Sequence, residues 1–159
     1  MARTDIFAGL FATLQGDLVL PTLLGPVGTQ QPRMMRGFPQ LQHLLSTGYE
    51  PAASDAWLVF VEPDPYPRAM TAMFDTAFEM LEIQFAVFAV QYQTADLIAD
   101  VLDSYWHWSV DQQRAVQYGD RILLGTRRYR TEETYAKELK LPQKSMFYRM
   151  RFTLETQHA

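Results

Sequence analysis

The chain of 159 residues carries 14 basic and 18 acidic side chains, a net charge of −4, and no cysteine. That inventory excludes disulfides, thiol nucleophiles and cysteine-ligated zinc or iron–sulfur centres, and His43, His107 and His158 are too widely spaced for a metal-ligand motif. With 48% hydrophobic residues, no long apolar run and no signal-peptide core, the expectation is one soluble domain over residues 1–159 that does not enter a membrane.

The mean charge hides a partition. Residues 1–120 hold five basic and fourteen acidic side chains, −9, whereas residues 121–151 hold nine basic and three acidic ones, +6. Such asymmetry is compatible with nucleic-acid contact, with complementary contact between copies of the chain, or simply with solvated faces of two surface strands.

In chain order, Thr4 or Asp5 can cap a first helix whose Ile6, Phe7, Leu10, Phe11 and Leu14 form one apolar stripe. A short helical turn over Leu18 to Leu24 follows, with Pro21 in its first turn and Gly25 at its end. Arg33 to Arg36 reads as a short strand and Gln40 to Leu45 as a helical turn. Trp57 to Val61 is a buried strand, stopped by Pro63, Pro65 and Pro67.

From Met80 to Tyr92 the pattern is a central strand, with Leu81, Ile83, Phe85, Val87 and Ala89 on one face and Glu82, Gln84, Ala86 and Phe88 on the other. Thr94 is expected to cap a helix to Trp106, with Ala95, Ile98, Ala99, Leu102 and Trp106 inward and Asp96, Asp100 and Asp103 outward. Arg121 to Arg130 and Ser145 to Glu155 read as two strands joined by a long connection, Thr131 to Lys144, which could form a hairpin arm over 127–149. The fold class expected is α+β: a mostly antiparallel sheet of four to five strands with helices on one face.

No dinucleotide, phosphate-loop, zinc-protease, EF-hand or hydrolase-elbow motif occurs, so no catalytic residue, metal site or cofactor is assigned. The acidic row Asp96, Asp100 and Asp103 lacks a histidine partner motif and reads as the wet side of a helix. Tyr105-Trp106-His107-Trp108 is the densest aromatic cluster. It suits a ligand-stacking or acid–base site built on His107, but core and subunit interface is the preferred reading, with Tyr105, Trp106 and Trp108 as anchors.

Arg127, Arg128 and Arg130, interleaved with Tyr129, and Arg149 and Arg151, interleaved with Phe147 and Tyr148, resemble a nucleic-acid surface in composition without any RNA- or DNA-binding motif. Alternation places Arg128 and Arg130 on one strand face and Arg149 and Arg151 on one strand face. Paired rows of like charge need a counter-charge, which the acidic part of an adjacent copy could supply.

The order of these segments, from the Ile6-Phe7-Ala8-Gly9-Leu10-Phe11 helix through Leu23-Leu24-Gly25, the Trp57 and Leu81 strands and the Thr94 to Trp106 helix to a closing strand pair, resembles the tail-terminator (tail-completion) proteins of long-tailed phages and phage-like particles. The resemblance spans residues 5–155; Pro39 to Ser54 and Thr131 to Lys144 look like additions to it. It implies a non-enzymatic virion protein of the tail and neck, assembled in the host cytoplasm. Such a subunit forms a ring, hexameric in the family, that ends the tail tube, meets the tube protein and a head-side connector or stopper, and passes double-stranded DNA without reading its sequence. Its interface would then draw on Arg127, Arg128, Arg130, Lys137, Lys140, Lys144, Arg149, Arg151, Tyr105, Trp106 and Trp108. A neck adaptor, a small-molecule or enzymatic domain using the aromatic cluster, and an RNA-binding surface are the competing readings.

Overall fold

The computed structural model describes residues 6–24, 34–36, 52–53, 55–61, 68–71, 77–109, 114–118 and 121–153. The elements are α1 (Ile6–Gln15), α2 (Leu20–Leu23), β1 (Met34–Arg36), β2 (Ala56–Val61), β3 (Arg68–Thr71), β4 (Ala77–Ala89), α3 (Tyr92–Trp106), β5 (Val116–Tyr118), β6 (Arg121–Ala136) and β7 (Leu141–Thr153). Among the described residues they form one sheet of seven strands, ordered β1-β2-β4-β7-β6-β5, with β3 beside the first half of β4. Only the β1–β2 pair is parallel, and the helices lie on one face, so the α+β expectation holds. The four strands longer than four residues are β2, β4, β6 and β7; these and the short β1 are legible in the sequence, whereas β3 and β5 are not.

The core follows the expected alternation. Leu81, Ile83, Phe85, Val87 and Ala89 of β4 and Met146, Tyr148, Met150 and Phe152 of β7 are buried under Ile6, Leu10 and Leu14 of α1 and the inward row Ala95, Ile98, Ala99, Leu102 and Trp106 of α3. The Trp106 ring stacks on Phe85 at 5.2 Å and 5°, and Phe85 meets Phe60 and Tyr148 edge to face. A second, smaller cluster on the opposite face joins Trp57, Val59, Ala86 and Phe88 to Leu141. It explains why β2 reads as a continuous apolar run: both its faces are covered.

Several local expectations are corrected. Thr94 is not the cap of α3: the helix starts at Tyr92 after Gln91, whose carbonyl accepts the Thr94 and Ala95 amides. Asp17 organises the α1–α2 corner, its Oδ1 accepting the Val19 and Leu20 amides at 2.9 and 2.7 Å. The 131–144 segment is not loop. β6 and β7 stay paired to Ala136↔Leu141, and the four-residue turn Lys137–Lys140 closes with Lys140 at φ 56. Because β7 also pairs with β4 from Gln143 to Thr153, the hairpin lies within the sheet over that length. Thr4, Asp5, Phe7's side chain, Gly25, Arg33, the 40–45 turn, His43, the Pro63 to Pro67 run, Leu154, Glu155 and His158 lie outside the described residues.

Candidate functional site

The basic segment forms the β6–β7 hairpin, whose pairing shifts register twice, and the second shift decides which face Arg130 takes. Register runs Arg127↔Arg149 and Arg128↔Tyr148, then shifts so that Arg130 stands opposite Phe147. Tyr129 is the extra residue of a β-bulge, and an inserted residue reverses which face the next side chain takes. Arg128 and Arg130 therefore lie on opposite faces, not on one face as alternation suggested.

On the helix side, Arg128 Nη1 donates to Asp103 Oδ2, and the buried Tyr148 hydroxyl donates to Asp103 Oδ1 at 2.6 Å. Burial, followed by the Asp103 hydrogen bond, pushes the Tyr148 phenol far above its usual range, so it stays a donor. Asp103 is thus no wet-side residue: it fastens α3 to both strands of the hairpin. Lys144 does the same further along, with Nζ 2.7 Å from Asp96 and 3.5 Å from Glu133. Burial opposes its charge, but the two carboxylates outweigh that and raise its pKa.

On the outer side the cations are laid over rings. The Arg130 guanidinium lies 4.5 Å from the Phe147 centroid and Arg149 lies 4.1 Å from that of Tyr129, while the two rings are 6.2 Å apart. Arg130 also pairs with Glu132, and Arg149 Nε reaches Glu82 Oε1 at 3.2 Å. Burial and the neighbouring Glu82 raise the Tyr129 pKa. Arg127, Arg151, Lys137 and Lys140 are exposed.

The counter-charges that the row of arginines requires thus come largely from this same chain: Asp103 and Asp96 of α3, Glu82 of β4, and Glu132 and Glu133 of β6 itself. The acidic and basic parts are separated along the chain, which is why the sequence points to a neighbouring copy as their source. The fold closes that separation by laying α3 and β4 against β7.

Of the core-and-interface reading of the Tyr105 to Trp108 cluster, the core part holds: Trp106 is 0% and Trp108 6% exposed, so these two pack inside the chain and present no exposed ring as an anchor. Trp106 Nε1 donates to Tyr118 at 3.2 Å, Trp108 Nε1 to the Tyr105 carbonyl at 2.8 Å, and the Tyr105 hydroxyl to Asp17 Oδ2 at 2.6 Å. The segment runs along the edge of β6: the Trp108 amide donates to Thr126 O at 3.1 Å, and His107 Nδ1 accepts the Arg128 amide at 3.1 Å. An imidazole held this way caps a strand edge. Among the described residues no group of three or more metal-ligating side chains comes together.

What these parts define is a two-layer α+β domain in which Asp103 and Asp96 tie helix to hairpin. No protein-family model matches the chain, and no curated protein matches its sequence. Among solved structures it is similar to a chain described as "Virion of native gene transfer agent (GTA) particle", with a TM-score of 0.63 and 16% identity, covering 92% of each chain. The fold is therefore shared, nearly end to end, with a chain of a gene transfer agent virion.

Proposed function

We propose that this protein is a structural, non-enzymatic component of a phage-like particle, and within it the ring that terminates the tail tube and meets the head-side connector. The observation that carries the reading is the shared fold with a virion chain over 92% of both lengths, which no partial motif match could give. The element order of the tail-terminator family, traced from the sequence, supports the finer assignment to the tail and neck. A ring of roughly six copies needs a head-to-tail interface in which two different patches meet. The exposed cations Arg127, Lys137, Lys140 and Arg151, with the ring-stacked Arg130 and Arg149, offer one such patch. DNA passes through the ring, and its partners are the tube protein on one side and a connector or stopper on the other.

Two measurements test this. Light scattering with negative-stain imaging should show rings of roughly six copies, and a monomer at every concentration refutes the ring. Particles made without the chain should carry tubes of uncontrolled length. Tails of normal length that fail to join heads would instead assign it to a neck adaptor.

A further inference from the structure

The sheet is open, and its two edges are unequal. β7 pairs with β6 along its whole length, but on the other side of β6 the strand β5 covers only Arg121–Leu123. The Trp108 amide and His107 Nδ1 then cap Thr126 O and the Arg128 amide. From Tyr129 to Ala136, among the described residues, no strand lies on this second side of β6, and every residue from Tyr129 to Tyr135 is exposed. Eight residues span about 25 Å of edge, a template for another strand. At the other end of the sheet, β1 pairs only with β2 among the described residues.

The registers relate these two edges to each other. Met34 stands opposite Leu58, Leu58 opposite Val87, Val87 opposite Lys144 and Lys144 opposite Glu133. Arg36 leads in the same way through Phe60, Phe85 and Met146 to Thr131. β1 and Thr131–Glu133 therefore occupy the same row of the sheet. One parallel step and three antiparallel ones also leave β1 running opposite to β6.

We propose that β1 of one copy pairs antiparallel with Thr131–Glu133 of β6 in the next, so that the sheet continues from subunit to subunit around a closed ring. The inference rests on the ring reading above and specifies its interface. Because the edges share a row, successive copies join without a step along the strands, and a heterologous contact without rise closes instead of growing into a filament. Charge supports the choice of partner. Two β6 edges meeting about a two-fold axis between Glu132 and Glu133 would set carboxylate against carboxylate, which opposes pairing. β1 instead brings Met34 and Met35 to those rows and Arg36 opposite Thr131, diagonal to Glu133.

Alternation from Thr126 and Arg128 through the bulge directs the main-chain groups of Thr131, Glu133 and Tyr135 to the free side. Pro142, which has no amide to give β6, stands opposite Tyr135, as this requires. Glu132 is then a position whose Cα approaches a new strand most closely, within disulfide range. The native chain has no cysteine to interfere.

The experiment combines Met35→Cys and Glu132→Cys in the full chain, assembles it, and oxidises it with oxidised glutathione. A covalent ladder ending at the mass of the ring is expected, whereas Glu132→Cys alone should give no dimer. Glu133→Pro removes one outward amide and leaves the β7 ladder intact, so ring formation should need at least about tenfold more protein, with Glu133→Ala close to wild type. Rings that form but do not cross-link overturn the strand pairing alone, as does dimerisation of Glu132→Cys by itself. A double-cysteine and wild-type chain that both stay monomeric overturn the ring reading and this interface with it.

Discussion

The two faces of the β6–β7 hairpin carry the same residue types in different circumstances. Toward the helices, Arg128 is one corner of a network with Asp103 and the buried Tyr148. Two residues on, across the bulge, Arg130 lies in solvent over Phe147 beside Glu132. A charged side chain takes its role from the face it is delivered to, and a single inserted residue decides that face. Arg128 is structural. Arg130 and Arg149 are available to a partner at little cost to the fold.

The sharpest test of this contrast reverses the two charges separately. Arg128→Glu sets a second carboxylate beside the partly buried Asp103 and leaves it without its cation, which should cost about 2–4 kcal/mol. Arg130→Glu loses an exposed pair and a ring contact, about 1 kcal/mol. Urea midpoints of the two variants measure the difference, and equal shifts would dissolve the distinction between the faces. Because an Arg128 variant is expected to destabilise the fold, any test of the proposed assembly should use Arg130 and Arg149 instead.

A smaller effect separates the adjacent residues Phe147 and Tyr148. Tyr148→Phe keeps the packing but leaves Asp103 Oδ1 without its buried donor, about 1–3 kcal/mol. Phe147→Leu on the outer face should cost about 1 kcal/mol or less. Thermal unfolding that ranks Phe147→Leu above Tyr148→Phe would invert the comparison.

Helix α1 gives a third test, because two known effects oppose each other there. Alanine at Gly9 should favour the helix by about 1 kcal/mol, yet its Cβ would sit 2.7 Å from Tyr118 Cδ1 and 3.3 Å from Tyr118 Cβ. Tyr118 is itself buried and hydrogen-bonded to Trp106, so it has little room to yield. Overpacking of about 1–3 kcal/mol should win, leaving Gly9→Ala about 1 kcal/mol less stable in calorimetry.

Periodicity found what is periodic. The inward rows of α3, β4 and β7 were legible residue by residue, because one apolar face on a regular element has one solution. The bulge at Tyr129 was not, since nothing in Arg128-Tyr129-Arg130 distinguishes a bulged strand from a regular one. The error in placing Arg130 followed directly. The strand pairing within 131–144 was legible only as a possible arm for a related reason: Thr131 to Tyr135 of β6 are all exposed and show no alternation to read. The aromatic cluster was legible in part, as core, but its interface role was not decided by composition. Trp and Tyr suit interfaces and cores alike, and only the partners of Trp106 and Trp108 tell which.

A last change probes the same Tyr–Asp pairing away from the deep core. Tyr105 and Asp17 repeat the Tyr148–Asp103 hydrogen bond at a half-exposed position, where α3 meets the α1–α2 corner. The bond to Tyr105 holds the Asp17 carboxyl below its ordinary 3.8, and the same bond, aided by burial, lifts the Tyr105 phenol to about 12. A lowered carboxyl pKa contributes stability above the unfolded value and loses it as pH falls through the folded one. A raised phenol pKa contributes stability that is complete below the unfolded value of about 10 and lost as pH climbs toward 12. The tie is therefore whole from mild acid to about pH 10, and weakens below about 3.8 and above 10. Tyr105→Phe should cost about 1 kcal/mol inside that window and nothing extra outside it, flattening both flanks of the stability profile. A variant whose deficit persists unchanged at pH 11.5 would show that the ring's packing against Trp106, and not the hydrogen bond to Asp17, is what Tyr105 contributes.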